Sequence, residues 1–495
     1  SNGNLKYIDG IDITRKSFGH FYAMLTEFVG FKRLKDEGKI VGMAAHGRHD
    51  TISYQAFNEC IKIDGILTDK DQSDVLLGQI YVDFYSSYFK KLGSKVFFGT
   101  KADIAHTGQV VFEEKILEVF NNLHNLYPNI RKVAVAGGVF ANVKLNKRIN
   151  ELYWVDEMFV APPMGDEGCP LGCALMVHKM FTPDFKPFRL DNMFMGTSFT
   201  DAEVGEHYWN VHKFSRELFT PELAAKYLAE GKIIGVFNGR YEHGPRALGN
   251  RSIIGEVTNP ETYDKINNKL QRNDFMPFAP AVMEEHADTI FNVTKSRYTA
   301  EFMTMLYDTR PDWADRIPTV VHPKDKTARI QIVTKTSNPT FYKILDEYNK
   351  LTNVPVLLNT SFNVHEEPIV CHPSEAFTHL ENDVVDSDVS GVLVSMGEAK
   401  EEIVPDVESA QVETVVEEIK PVKIYHIIGG AFRYNDLAEL MLADLRRKGF
   451  DAYLLDEPNE ELQKVCYEGF STRHEAIVKL REIQNQNPDA WVYKK

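Results

Sequence analysis

The sequence predicts a multidomain protein of the α/β and α+β classes, with a C-terminal β-α-β-β-α-β domain. The chain has 495 residues, of which 43% are hydrophobic and 11% aromatic. That is enough for several cores, and its length suggests about three domains. Short apolar strands alternate with amphipathic helices from residue 17 to about residue 396, and an acidic stretch then separates this part from a compact C-terminal segment.

The first region alternates helices and short strands. Phe18 to Val29 is predicted to be an amphipathic helix and Ile80 to Leu92 a buried, aromatic-rich one. Arg131 to Ala136 is predicted to be a strand that runs into two glycines. The strand-like run Leu152 to Val160 leads into the Gly/Pro-rich loop Pro162 to Gly168 and a small-residue helix. This alternation is typical of an α/β fold.

A second region extends from near Gly196 to about Met396. Its strand-like runs are Ile233–Asn238, Ile330–Lys335 and Pro355–Leu358. The composition then changes, because Gly397 to Lys420 holds eight carboxylates, two lysines and no aromatic residue. Such a stretch is predicted to be a solvated linker.

The segment after the linker is predicted to fold by itself as a ferredoxin-like sandwich of about 70 residues. Its predicted elements are, in order, strand Ile424–Gly429, helix Asn435–Lys448, strands Asp451–Leu455 and Gln463–Glu468, helix Arg473–Gln484 and strand Ala490–Tyr493.

Charge and cysteine content exclude several function classes. The formal net charge is −15 without any block of Lys/Arg, so nucleic acid is an unfavourable partner. Apolar runs such as Val133 to Ala141 are too short to span a membrane. The five cysteines are odd in number and scattered, which favours a reducing compartment over a disulfide framework. Cys169 and Cys173 are four residues apart, and small core residues are a better interpretation of them than a zinc site.

Three glycine-rich stretches in the first region could bind ligands. Gly137-Gly138 follows a strand and precedes a helix, which suits phosphate binding or only a tight turn. Asp166 lies in a Gly-Asp-Glu-Gly loop that could hold a metal, although a helix N-cap is favoured. Lys39 could pair with a phosphate or be solvated. The nearby His46 and His49-Asp50 suggest a metal cluster, but an ordinary surface is the better interpretation.

The most informative stretch is Gly239 to Ser252, which places three arginines among glycines after an apolar strand. Arginine binds phosphate or carboxylate in a bidentate manner, and glycines let the backbone approach a ligand. Further polar groups follow in the order Lys269, Arg272, His322, Arg329 and Gln331, and Asn359-Thr-Ser-Phe-Asn363 comes after a predicted strand. Several anion-binding elements in an acidic chain favour a nucleotide or phosphate substrate.

These motifs occur in an order that resembles the O-carbamoyltransferases of the nodulation-factor and aminoglycoside-tailoring type. The resemblance covers about residues 17–396 and rests on Gly137-Gly-Val, Gly165-Asp-Glu-Gly, Gly-Pro-Arg-Ala-Leu-Gly-Asn-Arg-Ser, Met276-Pro-Phe-Ala-Pro and Asn359-Thr-Ser-Phe-Asn. It implies that residues 1–195 are the C-terminal part of an actin/sugar-kinase-like (ribonuclease H-like) domain whose first lobe is missing. Residues 196–396 would be a YrdC-like domain, and residues 397–421 the linker.

The resemblance also implies a two-step reaction. Carbamoyl phosphate and ATP, which comes with Mg²⁺, would give a carbamoyl-adenylate in the YrdC-like domain. The carbamoyl group would then pass to a hydroxyl of a sugar or other small molecule. The residues implied around the phosphates or the carbamoyl oxygen are Arg246, Arg251, Arg272 and Arg329, with Ser361 and Asn363 orienting the carbamoyl group. The residues implied to bind nucleotide are Lys39, Gly137, Gly138, Asn142 and Asn359.

The chain departs from the pattern of this family in several places. Asp166 matches a ligand of a divalent metal, iron or similar, but the other ligands and the histidine base belong to the missing lobe. We therefore expect adenylate formation to be retained and the transfer step to be lost. Asn273 stands where the family usually has an acid, and Lys326 where it often has glycine.

The C-terminal segment, residues 422–495, resembles a SPOR domain, a module that binds peptidoglycan glycan strands. The resemblance rests on Tyr425 to Phe432, Lys448 to Ala452, Glu475-Ala476 and Ala490-Trp-Val. Tyr425, Tyr467 and Trp491 are expected to stack on sugars, and the alternative is that they are core residues.

The two resemblances imply different locations, since ATP chemistry belongs in the cytoplasm and peptidoglycan lies in the cell envelope. An inert catalytic part joined to a glycan-binding tail is therefore an alternative function. A weaker one is tRNA modification through threonylcarbamoyl-adenylate.

Overall fold

The structure is a computed structural model that describes two compact parts of the chain. The described residues are 17–68, 99–200 apart from 183 and 187, 203–204, 219–272, 276–395 apart from 366 and 387–391, and 425–494 apart from 433–434, 456–462, 471–472, 485–486 and 488–489. The chain divides into the units Ser1–Lys400 and Glu401–Lys495. The predicted boundary between residues 195 and 196 stays a prediction, and the linker and the helix predicted at 80–92 lie outside the described residues.

The N-terminal part of the first unit is mainly helical. Its helices are α1 (Phe18–Val29), α2 (Glu37–Ala44), α3 (Thr51–Cys60), α4 (Lys101–Leu126), α5 (Val143–Asn150) and α6 (Cys169–Phe181). Its strands are β1 (Ile63–Asp64), β2 (Leu67–Thr68), β3 (Lys132–Val135) and β4 (Glu157–Val160), where β3 and β4 pair in parallel. The predicted first helix is confirmed, since Ser17 caps α1 through its hydroxyl and Gly30 ends it with φ 98°.

The rest of the first unit is built on a mixed six-stranded sheet. The strands of this region, six of which form that sheet, are β5 (Ile234–Asn238), β6 (Arg251–Gly255), β7 (Ala279–Met283), β8 (Tyr307–Asp308), β9 (Thr327–Ala328), β10 (Gln331–Val333), β11 (Val356–Ser361) and β12 (Val392–Ser395). The helices are α7 (Pro221–Ala229), α8 (Pro260–Lys269), α9 (Ala287–Ile290), α10 (Pro311–Ala314), α11 (Pro339–Thr352) and α12 (Pro373–Glu381). The sheet order is β10-β7-β11-β6-β5-β12, with parallel pairs at both edges and antiparallel pairs inside.

One strand end differs from the prediction. Asn359, Thr360 and Ser361 were expected after a strand, but they form the last residues of β11. The strand continues because Ser361 still pairs with Ser252 of β6. Their polar side chains are therefore held by sheet geometry and not by a loop.

One large hydrophobic cluster runs through both regions of the first unit, and a smaller cluster surrounds Met193 and Phe302. The large cluster includes Phe21 and Val160 from the N-terminal part and Ile253 and Val385 from the sheet. The amide of Asn146 in α5 donates to the carbonyl of Thr304 over 2.7 Å. The two regions that the sequence separates are thus packed together and cross-linked by buried polar contacts.

The second unit has the predicted β-α-β-β-α-β order. Its elements are β13 (Tyr425–Phe432), α13 (Asn435–Arg447), β14 (Tyr453–Leu455), β15 (Gln463–Phe470), α14 (Arg473–Gln484) and β16 (Trp491–Lys494). The antiparallel sheet has the order β14-β15-β13-β16. Within the residues described, no helix is both long and apolar enough to cross a membrane.

Candidate active site

A buried glutamate shapes the arginine-rich loop between β5 and β6. Glu242 is 1% exposed, and its Oε1 accepts the backbone N–H groups of Leu248, Asn250 and Arg251 over 2.8, 2.8 and 3.1 Å. Burial raises the pKa of Glu242, against the lowering effect of these three hydrogen bonds. A loop closed around its own carboxylate is preorganised, so it presents Arg246 in a fixed direction.

Three guanidinium groups from separate segments converge on one cavity of about 190 Å³. Arg246 comes from the loop before β6, Arg272 follows α8 through the left-handed residue Gln271 (φ 54°), and Arg329 lies between β9 and β10. Burial lowers the pKa of Arg246 and of Arg329, and repulsion among the three cations lowers both further. A cavity lined in this way is suited to a phosphate or another compact anion.

A larger cavity of about 320 Å³ adjoins the first and shares the three arginines, Thr360 and His365 with it. Its opposite wall comes from the N-terminal part and carries three ammonium groups, on Lys35, Lys39 and Lys144. Carboxylates that line the same cavity offset part of this charge, since Asp36 lies 2.9 Å from Lys39 and also interacts with Lys35, and Asp325 lies 3.9 Å from Lys144. Its size and excess of positive charge suit a polyphosphate-bearing ligand.

The sequence analysis placed Arg251 with the other three arginines, and the structure does not. Arg251 is fully buried, and its guanidinium donates to the backbone carbonyls of Asn238, Gly239 and Asn250 over 2.7–3.1 Å. The group also lies 3.7 Å from the ring centroid of Phe237. Its two terminal nitrogens are used by backbone carbonyls at the two ends of its own loop, and its Nε has no hydrogen-bond partner among the described residues, so Arg251 has a structural position.

The polar residues of the 359–363 segment reach the smaller cavity as predicted. Asn359, Ser361 and Asn363 all lie on its wall. The amide nitrogen of Asn359 donates to Gln331 Oε1 over 2.7 Å and to the carbonyl of Ala247 over 3.3 Å. Sequence reasoning therefore singled out these residues, although it placed them after the strand to which Asn359 and Ser361 belong.

The predicted nucleotide-binding residues of the N-terminal part do not gather at one place. Lys39 lies on the wall of the larger cavity, whereas Gly137, Gly138 and Asn142 line neither cavity described here. Asn142 caps α5 by accepting the N–H of Leu145 over 3.0 Å. Its role is therefore structural in this arrangement. Open space surrounds both glycines, because a Cβ atom added at either would meet nothing within 4 Å.

The described residues do not fit a bound metal ion. Among them there is no group of three or more His, Cys, Asp or Glu side chains that could hold one. Asp166 is exposed and does not cap α6, whose N-cap is Gly168, so the favoured N-cap interpretation is wrong. Asp50 caps α3 by accepting the N–H of Ser53, and His46 packs against His322 at 5.3 Å between ring centroids.

In the second unit, Tyr467 belongs to the hydrophobic core. It is 5% exposed and meets Phe450 edge-on, with the ring centroids 4.9 Å apart. The expectation that Tyr467 stacks on sugar rings is therefore wrong. Tyr425 and Trp491 lie in β13 and β16, but their side chains are outside the described part.

Several site residues escaped the sequence analysis. Lys35, Lys144 and His365 line the larger cavity but belong to no motif that distinguishes them, and Thr360 lies inside the Asn359–Asn363 motif without having been singled out. Glu242 lies inside the arginine-rich motif, and the presence of a carboxylate among arginines could have identified it from the sequence. Lys326 adopts a left-handed backbone (φ 55°), which explains why glycine is common at this position. Asn273 lies outside the described residues.

Comparisons with known proteins match two stretches of the chain. The family models described as Carbamoyltransferase N-terminus and Carbamoyltransferase C-terminus match residues 2–175 and 225–395. The uncharacterised protein MJ1058 of Methanocaldococcus jannaschii is 31% identical over 388 residues, which are 76% of this chain and 61% of that protein. Nodulation protein NolO of Bradyrhizobium diazoefficiens is 30% identical over 386 residues, 76% of this chain and 68% of that protein.

Among solved structures, full-length HypF in its phosphate- and nucleotide-bound form has a TM-score of 0.26 and 15% identity, covering 56% of this chain and 41% of that one. This likeness is too weak to carry an argument. The chain spans about three fifths of the length of MJ1058.

Proposed function

The chain belongs to the carbamoyltransferase family, and from this premise we propose that it makes a carbamoyl-adenylate and passes the carbamoyl group to a hydroxyl of a sugar or other small molecule. The substrates would be carbamoyl phosphate and ATP with Mg²⁺. Water hydrolyses carbamoyl phosphate to carbamate and phosphate. A carbamate oxygen then attacks the α-phosphorus of ATP, and pyrophosphate leaves. In the transfer step the acceptor hydroxyl loses its proton and attacks the carbamoyl carbon, and AMP leaves.

The observation that supports this proposal best is uncompensated positive charge. Within the described residues, neither Arg246 nor Arg329 has a carboxylate partner. Burial lowers the pKa of both groups; the charge of Arg272 lowers that of Arg246 further, and the charges of Arg246 and Arg272 lower that of Arg329 further. Like charges held together in a partly dry cavity need an anion to neutralise them. Phosphates, and the charge that develops during phosphoryl and adenylyl transfer, meet that need.

The two cavities suit the two substrates by size. Carbamoyl phosphate is small enough for the 190 Å³ cavity, and the 320 Å³ cavity with its lysine-bearing wall suits the phosphates of ATP. Because both cavities share the three arginines, carbamate formed in one would lie beside the α-phosphate held in the other. Such proximity removes most of the entropic barrier to the second reaction.

The transfer step is the less supported half of the proposal. Gly137 and Gly138 follow β3 with open space around them, which would allow a nucleotide phosphate to approach the backbone. The metal expected from Asp166 has no part in this proposal, since the described residues do not fit one.

Pyrophosphate exchange tests the proposal directly. The full chain should incorporate labelled pyrophosphate into ATP only when carbamoyl phosphate is present. Arg246→Met should lower this exchange about 100-fold or more, because it removes a charge that binds the reacting phosphate.

Arg240→Met is the matched control for this test. Arg240 lies in the same loop but donates to the carbonyls of Met195 and Gly196 and lines neither cavity, so its variant should retain exchange. Absence of exchange in the unmodified chain, or exchange that does not need carbamoyl phosphate, would overturn the proposal.

Glycan binding by the second unit is a second hypothesis. The sheet carries a small apolar cluster of its own, in which Tyr453 and Tyr493 pack against Ile428, Leu455 and Cys466. The residues of the helix-covered core form a different cluster that contains Tyr467. If the Tyr453 cluster binds glycan, Tyr453→Ala should reduce retention of the full chain on peptide-free peptidoglycan, and equal retention would reject this hypothesis.

A further inference from the structure

A chain of side-chain hydrogen bonds fixes the amide of Asn359 in one orientation. Gln331 Nε2 donates to the carbonyl of Leu248 over 2.8 Å, so its Oε1 faces the other way. That Oε1 accepts the amide nitrogen of Asn359 over 2.7 Å, and the carbonyl of Ala247 lies 3.3 Å from the same nitrogen. Both neighbours of the nitrogen are acceptors, so reversing the amide would set oxygen against oxygen.

The oxygen of this amide has no partner. Asn359 is 1% exposed, and among the described residues nothing donates to its Oδ1. A buried acceptor without a donor is unfavourable by about 1–3 kcal/mol in general, so a ligand that donates a hydrogen bond to it would gain binding energy. Asn359 lies on the wall of the smaller cavity, directly beside Ala247.

The charged groups on the same cavity wall are hydrogen-bond donors, whereas this oxygen is an acceptor. Arg246, Arg272 and Arg329 on the same wall can only donate hydrogen bonds. A phosphate or carboxylate brings acceptors alone and would satisfy the guanidinium groups while leaving Asn359 Oδ1 unpaired. A ligand that carries an anionic end and an N–H group would satisfy both.

Resting on the proposed function, we propose that Asn359 is the residue that selects carbamoyl phosphate by accepting a hydrogen bond from its amino group, and that Gln331 positions it. Acetyl phosphate has the same phosphate and carbonyl but a methyl group in place of the amino group. Bound in the same way, it would leave Asn359 Oδ1 buried and unpaired. This assigns carbamoyl recognition to Asn359, which the sequence analysis had placed with the nucleotide.

The test compares carbamoyl phosphate with acetyl phosphate in the pyrophosphate-exchange assay of the full chain. The unmodified chain should prefer carbamoyl phosphate by about 10³-fold or more in kcat/KM, because sites built to bond a polar group discriminate strongly against analogues that lack it. Asn359→Leu should reduce the preference to within about tenfold, mainly by lowering kcat/KM for carbamoyl phosphate.

Gln331→Met is the second variant, since it leaves Asn359 in place but frees its amide to rotate. Gln331→Met should give a preference for carbamoyl phosphate between those of the unmodified chain and of Asn359→Leu. It also provides a second test if a thermal-unfolding control shows that Asn359→Leu does not fold. Asn363→Leu changes another amide on the same wall, whose nitrogen donates to the carbonyl of Glu367 over 2.6 Å. It should lower exchange with both phosphates and leave their ratio unchanged.

The outcomes separate this inference from the proposed function. Equal use of both phosphates by the unmodified chain, or an unchanged preference in both Asn359→Leu and Gln331→Met, overturns the role of Asn359 alone. If Asn363→Leu abolishes the preference instead, Asn363 is the amide that recognises the carbamoyl group, and the role proposed for Asn359 is overturned. No exchange with either phosphate overturns the proposed function, and with it the inference.

Discussion

At the scale of single residues, the partners of each guanidinium group separate binding from structure. Arg251 is surrounded by carbonyls of its own loop and lies over an aromatic ring. Arg246 and Arg329 instead face a cavity and repel each other. The first arrangement stabilises the folded protein, and the second lowers its stability, as is expected of a site that binds an anion.

Arg251→Met and Arg329→Met should therefore have opposite effects. Arg251→Met leaves the carbonyls of Asn238 and Gly239 without their donors and should lower the free energy of unfolding by about 2–4 kcal/mol. Arg329→Met removes a repelled charge, so stability should be unchanged or raised by about 1 kcal/mol while exchange activity is lost. Denaturant unfolding and the exchange assay measure the two effects. Equal destabilisation by both variants would contradict this division.

A partly buried acid that lines neither cavity should make stability depend on pH. Burial, and then the carboxylate of Glu284, raise the pKa of Glu301 to about 7, against Arg297 and Arg189. The ordinary pKa of a glutamate is 4.5. Between these two values the folded protein keeps a proton that the unfolded chain releases, so the contribution of Glu301 to stability falls as pH rises and is constant above about 7.

Glu301→Gln should remove this pH dependence. At pH 8 the variant should be more stable than the unmodified chain by about 1–2 kcal/mol, a figure discounted for solvent screening, and at pH 4 the two should be equal. Unfolding midpoints measured from pH 4 to pH 8 check this expectation. Parallel profiles for the two proteins would show that Glu301 is not the titrating group.

At the scale of elements, the position of α2 decides whether the N-terminal part can contribute to the cavity. The turn after α2 passes so close to the start of α4 that a Cβ atom at Gly47 would lie 1.9 Å from the carbonyl oxygen of Ala102. The obstacle is backbone and cannot rotate away. This close approach is part of what holds α2, and with it Lys35 and Lys39, against the rest of the unit.

Gly47→Ala should separate α2 from α4 and lower stability by about 2 kcal/mol or more. Gly172→Ala in α6 is the matched control, because a Cβ atom there meets nothing within 4 Å and alanine favours the helix by about 0.5–1 kcal/mol. Thermal unfolding of both variants measures the difference. Unchanged stability of the Gly47→Ala variant would mean that the turn after α2 can move away from α4.

At the scale of the whole molecule, the chain consists of two compact units with separate cores. The cavity-lining residues all belong to the unit that ends at Lys400. The second unit has a core of its own, built around Ile427, Val465 and Tyr467. Catalysis and the C-terminal module should therefore be separable by truncation.

A chain that ends at Lys420 should keep the carbamoyl-phosphate-dependent exchange of the full chain within about twofold, since every described cavity residue remains. Tyr467→Ala in the full chain should also leave exchange unchanged, although it removes a core residue of the second unit and destabilises that unit by about 3 kcal/mol. The exchange rate and two-step unfolding measure these effects. Loss of exchange on truncation would show that the second unit contributes to the reaction.

The local pattern of the sequence was sufficient for the first helix and for the order of elements in the second unit. The helix Phe18–Val29 and the β-α-β-β-α-β order at the C-terminus follow from periodicity and turn residues, which act over short distances. Arginines among glycines indicated anion binding because the chemistry of a guanidinium group is the same in any fold.

Only the tertiary structure decided which of these groups act together. It separated Arg251 from Arg246 and buried Tyr467. It also brought Lys35 and Lys144, which belong to no recognisable motif, to the wall of the larger cavity. The physical reason is that a side chain is assigned to a core, a loop or a cavity by contacts between residues far apart in the chain, and spacing along the sequence does not encode those contacts.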